Sequence, residues 1–293
     1  MLKGRLGLET ARIPHKDRHG IMWLSRGKLS VNDGTLEFVT AGADELEAGQ
    51  YGIPFQLLSC IVLQPGSTVT HDALRLMARH GTGLVAAGEG GVRMYASMPF
   101  GPDNSALARR QTKLWSDEEC RLSVARRMYA LRLGEVLPDR NINVLRGIEG
   151  ARVKALYQRL AEQYGVQWAG RKYDRQNPES TNAVNQAINH AAVAVRSCAM
   201  VAVAATGAIP QLGFIHEDSG LAFSLDIADL FRDSVTIPSA FAALSQMNRN
   251  RWRVQDLERA VRKQCATTLT QKKVVSKMID KIKQVLDEQE CSE

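Results

Sequence analysis

The sequence predicts an α+β protein: a β-rich, sandwich-like N-terminal domain over residues 1–97, a linker at 98–104, and a larger all-α domain over 105–293. Three observations predict it. Leu29, Val31, Leu36 and Phe38 alternate with polar residues on either side of Asn32-Asp33-Gly34, which is the pattern of a β-hairpin with its turn residues in place. Leu57 to Leu63 is a continuous apolar run stopped by Pro65-Gly66, as in a buried strand. After Met98-Pro-Phe-Gly-Pro-Asp-Asn104 the apolar spacing changes to a helical period and stays there.

The elements follow in order. Thr70 caps a short helix with Leu74, Met77 and Ala78 facing in and Gly81 closing it. Leu84 to Tyr95 reads as two strands around a Gly-rich turn. That turn lacks the Gly-Lys-Ser/Thr ending of a phosphate loop. From Ser105 a helix runs to about Leu114. Ser116 and Glu119 form a capping box for the next, about 117–135, which Pro138 ends. Asn141 to Ile148 leads into a helix from about Glu149 to Tyr164, closed by Gly165. Residues 165–180 are polar and loop-like. Ser180 or Thr181 caps a long helix to about Thr206 whose many alanines imply close packing at the domain centre. Gly213 to Gly220 is a polar loop, and an amphipathic helix starts at about Leu221 with Phe223, Ile227, Leu230 and Phe231 on its apolar side. Pro238 begins a helix over 239–247, and two basic helices, about 254–265 and 270–288, finish the chain.

Composition narrows the class. Of 293 residues, 44% are hydrophobic and 24% charged, which suits a globular protein with a sizeable core. The net charge of +7 permits a polyanionic partner. Cys60, Cys120, Cys198, Cys265 and Cys291 are odd in number and form no Cys-x-x-Cys pair, so a disulfide framework is not expected and a reducing cytoplasm fits. The N-terminus has no apolar signal core, and the run Ala191–Thr206, interrupted by Arg196, reads as too short for a membrane span.

Two places could carry chemistry. In the first, Asp226 and Asp229 lie three apart on one helix face, ten and thirteen residues after His216 in its Gly-flanked loop. Buried side by side, two carboxylates need a cation, and carboxylate plus imidazole donors suit Mg²⁺ or Mn²⁺. A solvated Asp pair and a surface histidine give the same pattern. In the second, Arg146-Gly-Ile-Glu-Gly-Ala-Arg152, Glu149 sits between two glycines. A first-turn glutamate complementing the helix dipole would look the same. Around these, cations cluster: from Arg249 to Lys283 they far outnumber Asp256, Glu258 and Asp280, with Trp252 among them. A second group gathers Arg146, Arg152, Lys154, Arg159, Arg171, Lys172 and Arg175 around Tyr173. Clustered cations with interleaved aromatics suit a phosphate backbone and splayed bases.

Five motifs occur together and in order: Ile13-Pro-His-Lys-Asp-Arg18, Leu145-Arg-Gly-Ile-Glu-Gly-Ala-Arg152, Gln163-Tyr-Gly-Val-Gln-Trp168, Gly213-Phe-Ile-His216 and Leu225-Asp-Ile-Ala-Asp229. With these motifs nearly the whole chain resembles the CRISPR-associated endonuclease/integrase of spacer acquisition, in its type I-E form. The resemblance implies a β-domain followed by an α-helical domain, and a homodimer. Two such dimers flank a dimer of a small companion adaptation protein. Its substrates are double-stranded DNA with single-stranded 3′ ends and the CRISPR repeat, joined by attack of the incoming 3′-hydroxyl on a phosphodiester. It places the metal ligands for Mg²⁺ or Mn²⁺ on Glu149, His216 and Asp229 and a further acidic active-site residue on Asp226. Backbone-contact positions fall on Arg75, Arg93, Arg146 and Arg171, with Arg253 and Arg262 added on their basic context. Tyr173 matches a residue that reads the protospacer-adjacent motif.

The match departs from the family at several points. Arg26 stands where a relative uses an aromatic to cap the duplex end, and Arg196 stands where the motif pocket has a second aromatic. The sequence printed ends at Glu293 without a Pro-rich tail, so motif recognition is expected to be weaker or differently built. Two other readings share the residues: a structure-specific nuclease on branched DNA without integration, and a non-catalytic DNA-binding scaffold whose acids are structural.

Overall fold

A computed structural model describes residues 20–42, 46–97, 105–136, 141–171, 182–250 and 253–287. The linker at 98–104, the N-terminal motif and Tyr173 lie outside the described residues. The chain is α+β, as its patterning predicts. Eight strands come first: β1 Gly20–Leu24, β2 Gly27–Asn32, β3 Thr35–Thr40, β4 Gly49–Ile53, β5 Leu58–Leu63, β6 Thr68–Val69, β7 Gly83–Ala87 and β8 Met94–Ser97. They form two four-stranded sheets, β1-β5-β7-β8 and β4-β3-β2-β6. The β2–β3 hairpin turns through Asp33 and Gly34, both at positive φ, as a two-residue turn of this hand requires. Helix α1, His71–His80, sits between β6 and β7, capped by the Thr70 side chain, which accepts from the Ala73 amide. It buries Ala73 and Met77 rather than Ala78, which is exposed.

Strand β5 is buried along its whole length because it has apolar layers on both sides. Ile61 and Leu63, with Leu84, pack toward Leu29, Leu36 and Phe38 of the second sheet. Cys60 and Val62, with Val85 and Ala87, face a different core, shared with the helices.

The helices are α2 Ala106–Ser116, α3 Glu118–Leu133, α4 Ile142–Tyr164, α5 Ala183–Thr206, α6 Ala222–Asp229, α7 Ile237–Asn250, α8 Leu257–Gln271 and α9 Val274–Val285. Their starts depart from the sequence expectation where two polar residues compete. Asp117, not Ser116, caps α3 and accepts from the Cys120 amide. Asn182 caps α5 and accepts from the Asn185 amide, while Ser180 and Thr181 lie outside the described residues. Helix α4 begins seven residues earlier than expected, at Ile142, and runs straight through Gly147 and Gly150.

Helix α5 is the centre. It is long and apolar enough, by length and composition, to cross a membrane, which corrects the shorter run read from sequence. Most of that apolar surface is buried, because α6, α7, α8 and α9 pack around it and the first sheet lies against it. Cys60, Cys198 and Cys265 form no disulfide, and burial pushes their thiols up to about 12. Such thiols stay protonated and unreactive.

Candidate active site

The loop before α6 is built first by α2. Gln111, fully buried, donates to the carbonyls of Ile209 (2.9 Å) and Leu212 (2.8 Å) and accepts from the Ile209 amide (2.7 Å). Trp115 Nε1 donates to the Gly213 carbonyl at 2.8 Å. A side chain at Gly213 would run into the His216 carbonyl, 2.2 Å from where its Cβ would stand, so only glycine allows the turn to close.

Asp226 completes the turn. It is 1% exposed. Its Oδ2 accepts from the amides of Phe214 (2.6 Å) and Ile215 (3.1 Å). Its Oδ1 accepts from the His216 amide (3.0 Å) and meets His216 Nδ1 at 2.7 Å. Every lone-pair direction of the carboxylate is in use. Asp226 and Asp229 are three apart on the helix, as the spacing predicts, yet their side chains do different work. Asp226 points into the loop and fixes the imidazole through Nδ1, which leaves Nε2 to face outward. The hydrogen bond that protonated Nδ1 donates to Asp226 holds the His216 pKa above its ordinary value, against burial.

Asp229 belongs to a second group. Arg132, near the end of α3 and only 5% exposed, places Nη1 2.7 Å from Glu149 Oε1 and 3.8 Å from Asp229 Oδ2. Its Nη2 is 3.7 Å from Asp233 Oδ1. Arg232 approaches Asp229 Oδ1 from the other side at 3.8 Å. Asp233 and Arg232 stand on a π-helical turn, Arg232–Thr236, between α6 and α7. An extra residue in a helical turn re-aims side chains, and here it turns both charges toward the acidic group. Glu149 lies within α4, not in its first turn. Burial raises its pKa, Arg132 opposes the rise and Asp229 adds to it.

Glu149, His216 and Asp229 come from three separate elements, and Asp229 is the residue the other two have in common. The charges of Glu149 and His216 each couple to Asp229. Arg146, one turn before Glu149, is exposed and near enough to His216 to lower its pKa electrostatically. It also bonds the phenol of Tyr129, which burial pushes up. Among the described residues no three His, Cys, Asp or Glu side chains stand at metal-ligand spacing, and the Arg132 guanidinium lies 2.7 Å from Glu149 and 3.8 Å from Asp229. The donors nonetheless fit a hard divalent ion: two carboxylates reaching one cationic nitrogen, and an imidazole oriented by a buried acid. Gly147 and Gly150 leave the adjoining face of α4 bare, with nothing within 4 Å of where a Cβ would stand.

The expected backbone contacts are distributed differently. Arg75 is exposed and pairs with Asp72 at 3.0 Å. Arg93 and Arg262 are exposed and share one partner, Glu258. Arg253 is exposed. Arg171 is half-buried and bonds Asn185 Oδ1 (2.8 Å) and Asn189 Oδ1 (2.6 Å) on α5, so it ties the end of the α4 region to the central helix. Sequence reasoning missed Arg132 and Asp233. Arg132 reads as a cation complementing the C-terminus of its helix, and Asp233 carries no motif.

A two-sheet domain joined to a helical bundle, with an oriented imidazole and clustered carboxylates on the bundle, defines the class. The chain matches the family described as CRISPR associated protein Cas1 over residues 21–137 and 130–281. It is 38% identical over 275 residues to the CRISPR-associated endonuclease Cas1 of Escherichia coli strain K12, across 94% of this chain and 87% of that one. It is equally similar, 38% over 275 residues, to the CRISPR-associated endonuclease Cas1 of Geobacter sulfurreducens, across 94% and 86%. Among solved structures, TtCas1 in a DNA complex superposes with a TM-score of 0.81 at 29% identity, covering 93% of this chain and 98% of that one. A casposase bound to an integration product, at 14% identity and a TM-score of 0.62, shares the fold. The chain belongs to the Cas1 family of CRISPR-associated proteins.

Proposed function

We propose that the chain is a metal-dependent DNA endonuclease/integrase that inserts short foreign DNA fragments into a CRISPR array. The observation that carries this reading is the His216–Asp226 pair. A buried carboxylate with four hydrogen bonds fixes the imidazole within electrostatic reach of Asp229, a costly arrangement for a surface histidine. The names of its relatives as endonucleases and a relative's complex with DNA support the same reading.

Glu149, His216 and Asp229 would hold Mg²⁺ or Mn²⁺, which supplies charge for the pentacoordinate phosphorus of a phosphodiester under attack. The protein's own residues do the positioning. Asp226 holds His216 in one orientation. Arg146, exposed beside the site, reaches a phosphate. The bare face at Gly147 and Gly150 lets a DNA backbone approach α4 closely. The nucleophile is the 3′-hydroxyl of the incoming DNA. A new P–O bond forms as the bond to the array strand's 3′-oxygen breaks; the attacking hydroxyl loses its proton to solvent and the leaving oxygen takes one up, so no protein nucleophile is needed. Arg75, Arg93, Arg253 and Arg262 supply exposed cations for the two DNAs. Tyr173 is assigned to reading the motif. The working unit is a homodimer, with two dimers flanking a companion dimer, on DNA with single-stranded 3′ ends and the CRISPR repeat, in the cytoplasm.

The test is strand transfer of labelled fragment into a supercoiled array plasmid, with companion protein and Mn²⁺ or Mg²⁺. Glu149→Ala, His216→Ala and Asp229→Ala are each expected to abolish joining while DNA affinity stays near wild type. Normal joining by all three variants overturns the ligand assignment. Cutting of branched DNA without joining points to a structure-specific nuclease, and neither activity points to a scaffold.

A further inference from the structure

Arg132 is a buried charge that its surroundings leave incompletely paired. A guanidinium carries five N–H donors in a fixed fork. Here the side chain is 5% exposed, yet only one contact, Nη1 to Glu149 Oε1, is at hydrogen-bond distance. Nε and Nη2 are buried with no hydrogen-bond partner, and so is Asp233 Oδ1. A structural buried arginine is ordinarily satisfied all round, because each unmade bond in the interior is costly. The two unsatisfied partners, Nη2 and Asp233 Oδ1, are 3.7 Å apart and almost in contact.

Nη1 stands between Glu149 and Asp229, against oxygens of both. A divalent ion bound by these carboxylates needs the same oxygens at about 2.0–2.6 Å. A guanidinium nitrogen and an ion compete for them, and the two cations repel. We propose that Arg132 is a positioning residue with two berths. It sits against Glu149 when it competes with the ion, and it withdraws to Asp233 when the ion takes Glu149 and Asp229. The withdrawal is a shift of about 1 Å at Nη2, enough to close the 3.7 Å gap to Asp233 Oδ1 to an ordinary hydrogen bond. The π-helical turn Arg232–Thr236 is what brings Asp233 to this second berth. The arginine thus sets a threshold on ion affinity and keeps three carboxylates compatible within one partly buried space.

This inference rests on the ligand assignment under Proposed function, and the experiment separates the two. Mn²⁺ binding to the full chain is measured by titration calorimetry, and the thermal midpoint with and without Mn²⁺ gives a second readout. Arg132→Met removes the competitor and is expected to tighten Mn²⁺ binding tenfold or more, with a larger Mn²⁺-induced rise in midpoint than wild type. A purely structural arginine would do the reverse. Arg132→Gln, neutral but able to hydrogen-bond, is expected to tighten binding as well, and it carries the test if the Met variant does not fold. Asp233→Asn removes the second berth and is expected to weaken Mn²⁺ binding several-fold in the wild-type background and much less beside Arg132→Met. If Glu149→Gln loses Mn²⁺ while the folded neutral Arg132 variant binds it no more tightly than wild type, the competition is refuted and the ligand assignment stands. If Glu149→Gln binds Mn²⁺ like wild type, the ligand assignment itself falls.

Discussion

Asp226→Asn is the sharpest probe of the loop that carries His216. Each carboxylate oxygen receives two hydrogen bonds, Oδ2 from the Phe214 and Ile215 amides and Oδ1 from the amide and Nδ1 of His216. An asparagine must replace one oxygen with an NH₂ group. Placed at Oδ2, that group faces two amide donors and both bonds are lost; placed at Oδ1, it loses the His216 amide and keeps Nδ1 only if the imidazole changes tautomer. One or two lost bonds to a charged acceptor, at about 1.5–3 kcal/mol each, put the cost at roughly 2–6 kcal/mol. For a chain of this size that is a fall in thermal midpoint on the order of 10 °C. A second consequence follows from the histidine. Its folded pKa is raised, first by the hydrogen bond it donates to Asp226, so the stability that His216 contributes is fully present below its unfolded pKa. That contribution is lost as pH rises through the higher folded value. In Asp226→Asn this loss of stability with rising pH should flatten. The assay is thermal unfolding from about pH 5 to 9, with the His216 ring titrated by NMR. A midpoint within about 2 °C of wild type, together with an unmoved His216 titration, would show that the four bonds do not hold the loop.

Three further outcomes are expected. Gly213→Ala drives a methyl group into the His216 carbonyl and Ala222, so it should cost about 3 kcal/mol or more and reduce joining, read by unfolding and strand transfer together. Arg127→Ala removes the guanidinium that bonds the carbonyls of Gln284 (3.3 Å), Val285 (3.2 Å) and Asp287 (2.9 Å). It should lower stability by about 1–3 kcal/mol and speed proteolysis at the end of α9, and an unchanged digestion pattern would refute the clamp. Glu258→Gln frees Arg93 and Arg262 from their shared partner and should tighten DNA binding several-fold at low salt, with a steeper salt slope. Arg93→Ala should weaken binding and lower the slope by about 1, and an unchanged slope in both removes this patch from the DNA surface.

What was legible in the sequence was local. The β2–β3 hairpin, β5 and the Thr70 cap are written in turn residues, apolar runs and a single side chain, each acting within a few positions. The extent of α4 was not legible. Gly147 and Gly150 read as a helix boundary, but packing of Leu145, Val153 and Tyr157 carries the helix through them, and tertiary contacts outweigh about 1 kcal/mol of propensity for each glycine. Spacing placed Asp226 and Asp229 on one face and could not say which turns inward. That is decided by the amides of Phe214, Ile215 and His216, which the tight turn at Gly213 delivers. Arg132 was illegible because its partners come from α4, α6 and the π-helical turn, all distant in sequence.

The first sheet's second face has a consequence for how the chain is made. Cys60, Val62, Val85 and Ala87 share a core with helices, α5 foremost, whose residues leave the ribosome long after β8. The two sheets and α1 can close on each other as soon as they emerge, while that strip stays bare for on the order of ten seconds of translation until Thr206 appears. A nascent chain stalled in this interval presents an apolar ledge to its neighbours. Slow codons or strong messenger structure between residues 97 and 206 should therefore lower soluble yield more than the same features placed after α9.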